Sequence, residues 1–270
     1  MVSDAAVNPL APFLLPDGFE PPPLKAVLRE RSVVREAGRY AVRTLEERRL
    51  RAPVDDAPVL LVPGFMAGDT SLAPMAKALR RRGWRTYRSH IHANVGCTRE
   101  AAERLEARLE AITEKRGVRA QVVGHSLGGM IARGLAVRRP DLVAGIVTLG
   151  SPMLAPAAHH AALSLSVEVL VRLSWAGVPG LMTRRCVAGS CARESFDESR
   201  EPVPTGVGFT AVYSRRDGIV DWRACVDAAA VPVEVGVSHV GMAVDPRVID
   251  EVAAALRRQA DAGDVGRVVA

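Results

Sequence analysis

The residues Val122-Val123-Gly124-His125-Ser126-Leu127-Gly128-Gly129 set a serine between two glycines where an apolar run passes into a helical one. A strand that turns sharply into a helix can present such a serine as a nucleophile. The residues two before and two after it must then carry no side chain that collides as strand and helix close. Gly124 and Gly128 meet that condition. Gly-x-Ser-x-Gly arises by chance in many chains, but here residues 121–123 continue a β-rich pattern and 130–137 a helical one, the context of a nucleophile elbow. A serine hydroxyl is a weak nucleophile at neutral pH, so it needs a base to take its proton and a third group to orient that base. Asp217 follows the run ending Val212-Tyr213-Ser214, and His239 follows the run ending Val235-Gly236. Both stand just after apolar strands, on the side of a parallel sheet where the elbow presents Ser126. Asp221 is a rival acid four residues on, although Asp217 is the one directly at the strand end. His125 adjoins the serine, but neighbours on a sharp turn point apart, so it reads as a packing or hydrogen-bonding residue. His90 and His92 read as loop histidines, solvated or lining the cleft, and His159 and His160 carry no role beyond exposure.

The elements that must carry these groups alternate. Residues 57–62 are a short apolar run bounded by Asp55-Asp56 and Pro63-Gly64, which suits a buried parallel strand. A helix over 71–82 ends at Gly83, with Arg80, Arg81 and Arg82 where cations favour a helix C-terminus. A strand over 84–89, a helix over 98–115 capped by Thr98, a strand over 118–123, the elbow helix and a strand over 142–149 follow. The pattern predicts a mainly parallel sheet with helices on both faces. It breaks after Gly150-Ser151-Pro152. Residues 151 to about 205 hold no strand pattern, and an insertion there sits over the carboxyl ends of the strands as a helical cap. Its helix over 161–175 is apolar almost all round, so it is expected to bury both sides, either partly over the cleft above Ser126 or wholly within the cap. The sheet resumes over 207–214, a helix begins near Trp222, a last strand covers 231–236, and a helix over 246–260 has Pro246 in its first turn.

Upstream, residues 1–23 end in Glu20-Pro21-Pro22-Pro23 and are expected to be extended and poorly packed. Residues 24–50 carry Leu24, Val27, Leu28, Val34, Ala37, Ala41, Val42 and Leu45 at helical spacing, which predicts an amphipathic helix packed on the body through that face. The expected organisation is an N-terminal arm and amphipathic helix over 1–56, then one domain over 57–270 interrupted by the cap.

A chain of 270 residues with 48% hydrophobic composition can build one large core. Its apolar runs fall short of the roughly 18 residues a membrane span needs, and no charged n-region precedes an apolar h-region. A soluble, cytoplasmic chain is the expectation. The formal charge of +6 and pI of 9.6 come from arginines scattered through helices, not from a basic stripe beside aromatics. That argues against nucleic acid and leaves peripheral contact with a lipid interface open. Cys186 and Cys191 have neither a second pair nor histidines at zinc-finger spacing, so their pattern predicts no metal site. They either close a small disulfide loop or remain thiols, and whether Cys97 and Cys225 pair is left open.

Together, Val62-Pro63-Gly64-Phe65, Gly124-His125-Ser126-Leu127-Gly128-Gly129, Thr148-Leu149-Gly150-Ser151-Pro152, Tyr213-Ser214-Arg215-Arg216-Asp217-Gly218-Ile219-Val220 and Ser238-His239-Val240-Gly241 resemble the small bacterial triacylglycerol lipases and esterases of the α/β-hydrolase superfamily. The resemblance runs over residues 57–257 and implies an α/β-hydrolase fold, with Ser126 as nucleophile, His239 as base and then acid, and Asp217 as orienting carboxylate. It also implies an oxyanion hole from the backbone N–H groups of Phe65 and Leu127. Many of these lipases have His-Gly where this chain has Pro63-Gly64; proline lacks only its own N–H, so Phe65 can still donate. The implied activity is cleavage of a small-molecule ester or lipid through an acyl-enzyme, with no cofactor. Two other readings share the pattern: an acyltransferase that hands the acyl group to an acceptor other than water, and a lipid- or partner-binding module without turnover.

Overall fold

The computed structural model describes residues 10–47 and 57–265. Six strands, β1 (Pro58–Val62), β2 (Arg85–Arg88), β3 (Ala120–His125), β4 (Val143–Leu149), β5 (Gly208–Tyr213) and β6 (Val231–Glu234), form one sheet in the order β2-β1-β3-β4-β5-β6. Every neighbouring pair is parallel. Parallel strands need long return connections, and helices supply them. Helix α1 (Val33–Glu46) precedes the sheet, α2 (Ala73–Arg81) joins β1 to β2, α3 (Thr98–Arg116) joins β2 to β3, and α4 (Leu127–Arg138) joins β3 to β4. Between β4 and β5 lie α5 (Ala161–Trp175), α6 (Arg184–Ala188) and α7 (Ser190–Glu198), and α8 (Pro246–Val265) follows the last strand.

Successive strand residues point to opposite faces, so each apolar strand feeds two cores. Val59, Leu61, Val123 and Val147 pack with Met75 and Leu79 of α2 and with Val252 and Leu256 of α8. Leu60, Val62, Val122 and Ile146 pack on the other face with Leu105 and Leu109 of α3 and Leu135 of α4. The chain leaves β1 toward β2 on one side and returns to β3 on the other. At such a reversal the connections leaving the carboxyl ends of the two strands part, and a crevice opens between them. The segment after β1 and the turn after β3, which carries Ser126, stand at this crevice.

Several local expectations are overturned. Residues 10–23 are not poorly packed: Ala11 and Leu14 are buried against Ala157, Ala192 and Phe196, and Phe19 packs on Ala155, Ala158 and Ala224. Aliphatic and aromatic anchors between the prolines hold this segment to the cap, while residues 1–9 lie outside the described part. The segment 24–46 is a 3₁₀ helix, Leu24–Ser32, followed by α1, and its apolar stripe faces solvent: Val34 is 75% exposed, and Val42 and Leu45 are 58% exposed. Glu36 is buried in its place. Helix α5 buries Val167 but leaves Leu165, Val169, Leu173 and Trp175 exposed, so it does not cover both sides. Cys97, not Thr98, holds the position before α3, and no side chain caps that helix. The helix near Trp222 is a single 3₁₀ turn, Trp222–Cys225. No described helix is long and apolar enough to cross a membrane.

Candidate active site

Ser126 sits at φ 51° and ψ −122°, a left-handed conformation that a side chain adopts only at a cost of about 1–3 kcal/mol. The surrounding backbone holds it there. Ser126 N–H donates to Leu149 O at 2.8 Å, tying the turn to the end of β4. A side chain at Gly124 would strike the backbone of Gly129, and one at Gly128 would strike the carbonyl of Val62, so strand, turn and helix close only with glycine at both places.

Asp217 lies in the loop after β5. Its Oδ1 accepts the N–H groups of Ile219 at 2.8 Å and Val220 at 2.9 Å, and its Oδ2 stands 2.7 Å from His239 Nδ1. Both partners are buried. With Nδ1–H donating to the carboxylate, the neutral imidazole keeps Nε2 as a free acceptor. Burial works against the imidazolium, but the charge and hydrogen bond of Asp217 and the charge of Glu30 outweigh it, and the pKa of His239 is raised. Asp221 is turned away: its carboxylate binds the Arg223 guanidinium at 3.0 Å and caps the following 3₁₀ turn. The His239 ring lies over Gly150, where an added Cβ would come within 3.0 Å of Nδ1, so the imidazole rests against the sheet end next to the serine turn. Among the described residues no hydrogen bond joins Ser126 to His239.

His125 Nε2 lies 3.0 Å from His239 O. Burial, then the nearby charge of His239, lowers its pKa to about 4, so it is neutral and Nε2–H can donate to that carbonyl. It supports the histidine turn and does not face the serine as a base. His90 and His92 are exposed. His159 and His160 are buried, contrary to expectation: His159 lines the cavity described next, and His160 Nδ1 caps α5 by accepting Ala162 N–H at 3.1 Å.

Ser126 opens into a mainly apolar cavity of about 160 Å³. Leu163 and Val167 of α5, Met182, Val187 of α6, and Leu10 and Leu14 of the N-terminal segment form much of its wall. Phe65 and Leu127 also border it. Leu127 is the first residue of α4, where an N–H has no intrahelical acceptor. Among the described residues neither its N–H nor that of Phe65 meets an acceptor. The segment after β1 is held by Asn94, which receives Met66 N–H at 3.0 Å and donates from Nδ2 to Pro63 O at 3.0 Å.

Residues 57–176 match the model of a family described as the alpha/beta hydrolase fold. The chain has the α/β-hydrolase fold. Among solved structures, the chain is similar to a Bacillus licheniformis lipase in its mature form, at 14% identity and a TM-score of 0.58 over 76% of this chain and 95% of that one. A Paleococcus ferrophilus monoacylglycerol lipase aligns at 14% identity and TM-score 0.51, covering 76% and 97%. A Bacillus subtilis carboxylesterase aligns at 16% and 0.50, covering 84% and 98%. At such identities the likeness is one of fold. No curated protein matches the sequence.

The family match ends before Asp217 and His239. The sequence reading also missed the groups that hold them. Glu30, in the 3₁₀ helix before α1, accepts Gly218 N–H at 3.0 Å and His239 N–H at 3.1 Å on Oε1, and Val240 N–H at 2.9 Å on Oε2. Glu36 accepts Ser238 N–H at 2.9 Å and the Ser238 hydroxyl at 2.6 Å. Two glutamates from the N-terminal segment therefore bind the acid turn and the histidine turn. Nothing in the sequence sets them apart from other helical glutamates.

Proposed function

We propose that this α/β-hydrolase cleaves carboxylic esters through an acyl-enzyme on Ser126. The observation that carries the reading is the buried Asp217–His239 pair at the strand ends beside Ser126. In this reading the serine hydroxyl turns toward His239 when substrate binds, as catalytic hydrogen bonds commonly tighten only in the complex. His239 Nε2 takes the proton as Oγ attacks the ester carbonyl, and the N–H groups of Phe65 and Leu127 receive the developing oxyanion. His239 then protonates the leaving alcohol. A water activated by the same imidazole releases the acid and restores the serine.

The acyl group occupies the cavity against Leu163, Val167 and Met182, which favours aliphatic chains over acetyl. The uncovered stripe Leu165, Val169 and Leu173, with Trp175 92% exposed beside it, supports approach to aggregated lipid. The testing experiment treats wild type and Ser126→Ala with a fluorophosphonate and follows hydrolysis of acetyl, butyryl, octanoyl and palmitoyl esters. Wild type should be labelled on Ser126 and turn over the longer esters, and Ser126→Ala should do neither. Labelling elsewhere, or turnover by Ser126→Ala, rejects the reading.

A further inference from the structure

Three of the four cysteines in the chain meet at one point. Cys97 immediately precedes α3, Cys186 lies in α6 and Cys191 in α7, and their sulfur atoms all lie within 4.8 Å of one another. Cys97 is buried while Cys186 and Cys191 are half-buried, so the cluster is only partly shielded from solvent. The junction around it is fastened. Met182 N–H donates to Val95 O at 2.9 Å, the Arg99 guanidinium pairs with Glu194 at 2.7 Å, and the Thr98 and Ser195 hydroxyls lie 3.4 Å apart. Cap and body are thus held together on both sides of the sulfurs.

We propose that Cys97, Cys186 and Cys191 form a three-thiolate site for one thiophilic d¹⁰ cation, Zn²⁺, with water as the fourth ligand. Tetrahedral zinc with Zn–S bonds of about 2.3 Å sets its sulfurs roughly 3.8 Å apart. The observed spacing reaches that with an inward shift of at most about 1 Å. A disulfide brings two sulfurs to about 2.05 Å and leaves the third without a role, so it does not account for a three-way convergence. Among the described residues no histidine or carboxylate joins the group, and an all-sulfur set selects a soft cation over Mg²⁺ or Ca²⁺. The half-buried side leaves room for the water. Burial pushes the Cys97 thiol up to about 11, and the first-turn amides of α3 only partly offset this, so binding must release protons as the cation ionises the thiols. The spacing of Cys186 and Cys191 predicted no such site, because its third ligand comes from 89 residues upstream of Cys186. Cys186 also borders the cavity, so the cation pins α6 and α7 to the start of α3 at the cavity wall.

The test uses the full chain, reduced and freed of metal, titrated with Co²⁺ and then Zn²⁺. Thiolate-to-cobalt charge-transfer absorption should saturate at one equivalent and be displaced by Zn²⁺. Cys97→Ser, Cys186→Ser and Cys191→Ser should each weaken Zn²⁺ binding at least tenfold, and Cys225→Ser should not. Zn²⁺ should raise the Tm of wild type and Cys225→Ser but not that of Cys97→Ser. The wild-type titration decides the matter even where a variant fails to fold. Absence of charge-transfer absorption at excess Co²⁺, or full binding in Cys97→Ser, overturns the proposal.

Discussion

Replacing Glu30 by glutamine is the most informative single change near the candidate site, because it removes a charge while keeping nearly the same shape. Glu30 collects three backbone N–H groups on two oxygens, two from the turn that carries His239 and one from the turn that carries Asp217. Hydrogen bonds to a charged acceptor are worth about 1.5–3 kcal/mol each. In Glu30→Gln the amide keeps one oxygen for Gly218 and His239 but sets an NH₂ against Val240 N–H, so at least one such bond is lost. A loss of that size reduces the population of the aligned histidine turn by roughly ten- to a hundredfold. If turnover needs that alignment, kcat should fall by up to that factor with KM little changed. The charge has a second effect. Glu30 helps to raise the pKa of His239, and the base must be neutral to act. Removing the charge lowers that pKa, so the acid limb of the rate should move to lower pH. A loss of general stability would lower the amount of active protein without moving the limb. Rates on a butyryl ester from about pH 5 to 9, alongside thermal melts, separate the two effects. A variant with wild-type kcat and an unmoved limb would refute the positioning role.

For wild type, the raised pKa of His239 places the acid limb above the roughly 6.5 of an isolated imidazole; a rate that stays flat down to about pH 4 excludes a histidine base. Asp217→Asn should lower kcat by about 10²- to 10⁴-fold, whereas Asp221→Asn should mainly reduce stability, since that carboxylate holds Arg223; kinetics with the opposite ranking reverse the assignment. Val167→Phe fills the cavity and should shift kcat/KM from octanoyl toward acetyl esters, at up to about 0.8 kcal/mol per methylene no longer buried. Arg133 in α4 pairs with buried Asp227 at 2.7 Å. Arg133→Met strands that carboxylate and should cost about 3–5 kcal/mol in urea unfolding, and a change below 1 kcal/mol would contradict a buried ion pair.

The sequence by itself determined the sheet and the serine turn, because both rest on short-range rules. Five consecutive apolar residues such as Pro58–Val62, cut off by Pro63-Gly64, suit a strand buried on both faces whatever lies elsewhere. Gly124 and Gly128 are demanded by collisions within and beside a single turn. The positions just after β5 and β6 followed from the same patterns, and so Asp217 and His239 were legible as candidates. Only the tertiary structure decided which face of each helix would be used. The periodicity of α1 pointed to Val34, Val42 and Leu45 as its buried side, yet the surface it covers is the Ser238–Val240 turn, whose N–H groups need acceptors more than contact with apolar side chains. Glu36 supplies one acceptor from α1, and Glu30 supplies others from the 3₁₀ turn before it. Likewise Cys97 reaches Cys186 and Cys191 only through the docking of the cap on α3. A helical repeat records that a face is apolar. Which face is buried depends on the groups opposite it, and here those groups come from 200 residues further along the chain.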